Sequence, residues 1–80
     1  MNKAETKATI CLMRGMADGI DVFYQILMKG KDVLGLDETK SKLITLLAQQ
    51  QISTLKMKTI ALCENDDDLD FVEKFPKIVG

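Results

Sequence analysis

Hydrophobic positions recur with a helical period along most of this chain. With successive residues set about 100° apart, Lys3, Lys7, Arg14, Asp18, Asp21 and Gln25 fall on one narrow arc. The opposite arc carries Leu12, Met13, Met16, Ile20, Phe23, Tyr24 and Leu27. The spacing predicts an amphipathic helix over about residues 4–29. A second stripe runs beside the bulky one, through Ala4, Ala8, Cys11, Gly15, Gly19, Val22 and Ile26. Its middle is built of very small side chains. Glycine inside a helix costs ~1 kcal/mol relative to alanine, so two of them four residues apart need a reason. Close approach of another helix along that stripe is one reason, and a kink near Gly15–Gly19 is the other. Ala8, Cys11, Gly15, Gly19, Val22 and Ile26 are therefore the expected helix-packing or oligomer seam.

Residues 30–37 form the connection, where Gly30 or Gly35 suits a left-handed position after a helix end. Asp37 is a good N-cap, and Glu38 behind it suits the positive end of the next helix dipole. The second helix is expected over about residues 38–64. One seam is Ile44, Ala48, Ile52, Leu55, Thr59 and Leu62. A second is Leu43, Leu46, Leu47, Gln50, Thr54, Met57 and Ala61. Gln50 lies on that apolar side and joins the expected interface, because a polar core residue can set the register of a dimer.

An acidic turn is expected over 65–68 and a short helix over about 69–75, capped by Asp68 or Asp70. Phe71 and Phe75 are four apart and share a face, and Pro76 stops the helix before an apolar tail over 76–80. The fold class is thus all-α. An antiparallel helical hairpin with a short third C-terminal helix makes one domain, 1–80.

Chain length changes the picture. Eighty residues bury only ~63% of their unfolded surface, which leaves a thin core. Each long helix nevertheless shows two apolar stripes, and a hairpin covers one. The remainder predicts association into a helical bundle, most simply a homodimer.

Charge is unevenly placed. Residues 1–63 hold nine basic and six acidic side chains, and residues 64–80 hold two and six. Asp66, Asp67, Asp68 and Asp70, together with Phe71 and Phe75, read as an acidic-aromatic segment for docking a protein partner. The alternating aspartates do not make an EF-hand, because Phe71 and Lys77 stand where the loop needs glycine and glutamate. Lys29, Lys31, Lys40 and Lys42 flank the hairpin turn and form a possible anion site beside a helix N-terminus. Asp32, Asp37 and Glu38 sit among them, and no P-loop pattern is present.

Histidine is absent, which removes Ser-His-Asp and Cys-His nucleophiles and histidine metal ligands. Cys11 and Cys63 are too far apart in sequence for a CxxC pair, though the hairpin would bring them near one another. No catalytic, cofactor-binding or metal-ligating residue is assigned, and no enzyme activity is expected. A single arginine and a net charge of −1 argue against nucleic-acid binding. No stretch reads as a signal peptide or a membrane span, and the expected location is the cytoplasm, of a cell or of a virus's host. The leading expectation is a non-catalytic oligomeric interaction module acting as an adaptor, chaperone-like cap or inhibitor. An oligomer binding a small anion or nucleotide at subunit junctions is the alternative, and a nucleic-acid-binding regulator the third.

Overall fold

The computed structural model describes residues 2–79. Three helices follow one another, α1 (Lys3–Lys29), α2 (Glu38–Ile60) and α3 (Asp66–Glu73). The first two pack as a hairpin, and the segment after α2 folds back onto it. Gly80, the last residue of the expected tail, lies outside the described residues.

Each helix starts on a side-chain cap. Asn2 Oδ1 accepts from the Glu5 amide at 2.8 Å, and Asn2 Nδ2 donates to Glu5 Oε1 at 3.1 Å, a side-chain contact that steadies the cap. Asp37 Oδ1 accepts from the Lys40 amide at 2.8 Å, as its position before an apolar run requires. In the turn, Gly35 adopts φ +70, the left-handed conformation that favours glycine. Gly30 stays at φ −94 and closes α1 through its amide to the Ile26 carbonyl.

The ends of α2 and α3 correct the expected boundaries. α2 stops at Ile60, with a tight turn through Leu62 and Cys63 bonded to the Thr59 and Ile60 carbonyls. α3 begins at Asp66 rather than Leu69, because Asn65 is its cap and accepts from the Asp68 amide at 3.0 Å. Asp66, Asp67 and Asp68 are therefore the first helical turn, where the dipole favours negative charge. They do not form a loop.

Ala17, Tyr24, Ala48, Ile52, Val72, Phe75 and Ile78 make one buried cluster, with Met13, Ile20, Met28, Ile44, Leu55 and Cys63 packed against it. On α1 the inward seam is Thr6, Ile10, Met13, Ala17, Ile20 and Tyr24, in alternating steps of four and three. The expected bulky arc is divided. Met13, Ile20 and Tyr24 turn inward and Leu27 is half-buried, whereas Leu12, Met16 and Phe23 stay exposed.

Polar groups inside the core are all partnered among the described residues. Thr45 donates its one hydroxyl proton to the Ser41 carbonyl, so its oxygen accepts from the Tyr24 hydroxyl at 2.8 Å, which ties α1 to α2. Thr59 is wholly buried, 2.6 Å from the Leu55 carbonyl and 3.1 Å from Met13 Sδ. The C-terminal segment is held by Val72, Phe75 and Ile78 in the core and by Gln49 Nε2 donating to the Ile78 carbonyl at 2.8 Å.

Candidate functional site

The C-terminal segment covers one side of the hairpin and leaves another side open. Between α1 and α2 runs a groove of ≈ 540 Å³ whose walls are almost wholly apolar. Met16, Gly19, Phe23 and Leu27 come from α1, and Ile44, Leu47, Ala48 and Gln51 from α2. The exposed arc of α1 extends this face through Ala8, Cys11, Leu12, Gly15, Val22 and Ile26. Leu12 is 65% exposed, Phe23 64% and Ile26 61%. The second seam of α2 is exposed along its whole length, with Leu43, Leu46, Leu47 and Met57 more than half accessible and Gln50 among them. None of these positions carries a charge.

This arrangement has a local cause. α1 is apolar around most of its circumference, and α2 supplies a neighbour on one flank only. The 4-3 seam goes inward because Ala17 and Ala48, both buried, let the two backbones come together. Larger residues at the groove rim then remain outside. Every member of the expected oligomer seam (Ala8, Cys11, Gly15, Gly19, Val22, Ile26 and Gln50) is exposed in the single chain. A Cβ placed on Gly15 or Gly19 meets nothing within 4 Å, so no neighbour among the described residues explains either glycine.

The acidic-aromatic segment is placed differently from the expectation. Asp66, Asp67 and Asp70 are exposed, but Asp68 is buried and accepts from the Glu64 amide at 3.2 Å. Phe75 is a core residue, 4% exposed. Phe71 is half-buried beneath Arg14. Neither aromatic side chain is presented to a partner, because each is already engaged in closing the C-terminal segment over the hairpin. Lys56 Nζ adds a 3.9 Å ion pair to Glu73 across the same junction.

The lysines around the turn do not converge. Lys31 and Lys42 line a hollow of ≈ 860 Å³ with Tyr24, Thr45 and Val79, while Lys29 and Lys40 stand outside it. Asp32, Asp37 and Glu38 line the same hollow, and Lys42 Nζ lies 3.5 Å from Glu38. The lining thus carries three acidic and two basic groups, an environment that does not favour an anion.

Both cysteines are free. Cys11 is exposed on the open face of α1. Cys63 packs at the edge of the core and donates to the Thr59 carbonyl at 3.3 Å. Burial, and then the Asp68 carboxylate, push its thiol pKa above the ordinary 9.0. Among the described residues no group of three or more Cys, Asp or Glu could hold a metal ion. No helix there is long and apolar enough to cross a membrane. The chain matches no protein-family model, no curated protein and no solved structure.

Proposed function

We propose that this chain is a non-catalytic association module that works by burying the open α1–α2 face against another polypeptide. One observation carries the reading: an apolar face, flanked on α2 by Lys40 and Lys58, spans both long helices and the groove between them, and no described segment lies over it. Exposed apolar surface that is continuous, and not scattered singly, marks an interaction site. Gln50 and Gln51, polar but uncharged, sit within or beside it and suit hydrogen bonds at a packed interface. The absence of histidine supports the non-catalytic part of the reading.

Native mass spectrometry of the full chain recovered from its source, beside the Phe23→Ser/Leu47→Ser variant, tests this. The native chain is expected to carry a stoichiometric polypeptide, and the variant to lose it while its circular dichroism remains helical. A native chain without any bound polypeptide overturns the reading. So does a bound polypeptide that the variant retains.

A further inference from the structure

We infer that the polypeptide that covers the α1–α2 face is a second copy of this chain, in a two-fold dimer that completes a four-helix bundle. The inference rests on the reading of that face as an association surface, and it goes further by committing to the occupant.

Area is the first argument. The chain exposes 5654 Å². A folded monomer of 8.9 kDa is expected to expose ~4,800 Å². The excess is roughly 850 Å², and a standard stable interface buries about 800 Å² per partner. Shape agrees: the Cα radius of gyration is 14.8 Å, against about 11.6 Å for a compact domain of this length. One more layer of two helices on the open face would thicken a body that now measures 47 × 17 × 15 Å.

Charge is the second argument. The chain has twelve acidic and eleven basic side chains, yet the exposed arc of α1 from Ala8 to Ile26 and the second seam of α2 from Leu43 to Ala61 hold none of them. Lys40 and Lys58 flank the two ends of the α2 side, so an identical face laid on the apolar middle is complementary to it and can leave both ammonium groups at the solvated rim.

The glycines locate the crossing. Gly15 and Gly19 lie near the middle of α1, where no described residue comes within 4 Å of their Cβ positions. A two-fold axis crossing the middle of α1 sets this stripe against its own copy, and the missing side chains let the two backbones approach closely.

Sedimentation equilibrium of the full chain tests the inference. The wild type is expected at twice 8.9 kDa at micromolar concentration. Gly15→Gln/Gly19→Gln is expected to weaken the dimer by about tenfold or more. The same variant should raise monomer stability, because glutamine is a better helix former and has open space at both positions. Should that variant fail to fold, thiol labelling of the wild type tests the same interface. Cys11 lies on the stripe, so its labelling should slow as concentration rises through the dimer range. A mass of 8.9 kDa at all concentrations, an unaltered mass in the folded variant, or concentration-independent labelling of Cys11 overturns the inference. A monomer that carries a different polypeptide, lost in Phe23→Ser/Leu47→Ser, would overturn the second copy and leave the association module standing.

Discussion

The Arg14 guanidinium lies 4.7 Å above the centroid of the Phe71 ring, joining the first helix to the third. Arg14 is the chain's only arginine, and its Nε lies 3.8 Å from Asp18 Oδ2, one turn on along α1. A cation over an aromatic face is attracted by the ring quadrupole, and the planar guanidinium can stack where an ammonium cannot. Arg14→Ala is therefore expected to destabilise the fold by about 0.5–1 kcal/mol, and Arg14→Lys to recover only part of that loss. Urea unfolding of the three proteins, followed by circular dichroism, measures it.

Phe75 and Val79 separate the covering segment into core and surface. Phe75 is 4% exposed, and truncating a buried phenylalanine costs about 3–5 kcal/mol. A domain of this size has ~3–5 kcal/mol in total, so Phe75→Ala should unfold most of the chain at room temperature. Val79 is exposed, and Val79→Ala should shift stability by less than ~0.5 kcal/mol. Thermal melts of both variants decide this, and a folded Phe75→Ala would place the segment outside the core.

Tyr24 and Thr45 share a side-chain hydrogen bond that ties α1 to α2 near the turn of the hairpin, at 2.8 Å. Tyr24→Phe keeps the ring and removes the donor. Because Thr45 still bonds to Ser41, only the net worth of one hydrogen bond is lost, about 0.5–1.5 kcal/mol. Denaturant midpoints at constant slope check the figure.

The two thiols should react at different rates. Dilute protein treated with a disulfide reagent at neutral pH is expected to label Cys11 first, since Cys63 is half-buried, bonded to Thr59 and raised in pKa. The same shift affects stability. Folding favours the neutral Cys63 thiol, so that stability is fully present below the unfolded value near 9.0 and is lost as pH rises through the higher folded value. Cys63→Ala should flatten the alkaline arm of the stability profile. Equal labelling rates, or an unaltered alkaline arm, would contradict this assignment.

How much of the molecule is legible in its sequence depends on the kind of signal. Asp37 as a cap, Gly35 in the turn and the Ile44–Ala48–Ile52–Leu55–Thr59 seam follow from local chemistry and spacing, and the structure places them so. Asn65 is harder to read as a cap, because four acidic residues follow it closely and each is also competent. On α1 the inward 4-3 seam includes Thr6 and Ala17, which carry little hydrophobic signal next to Leu12, Met16 and Phe23. Only its even spacing marks it. Phe71 and Phe75 read as available for docking because an acidic, exposed turn is expected before them. Val72, Phe75 and Ile78 instead anchor the segment to the hairpin.

The order of residues alone dictates that the chain is helical, where its two long helices turn, and that it has more apolar helical surface than one hairpin can bury. Periodicity and caps are short-range properties, legible within a few turns of helix. Which stripe turned inward was set by packing between the elements. An apolar arc wider than one neighbour has several near-equivalent ways to pack. The arrangement adopted buries the small Ala17 and Ala48 together with Val72, Phe75 and Ile78 of the C-terminal segment. That selection buried the aromatic end of the tail and left the face of Leu12, Gly19 and Phe23 open.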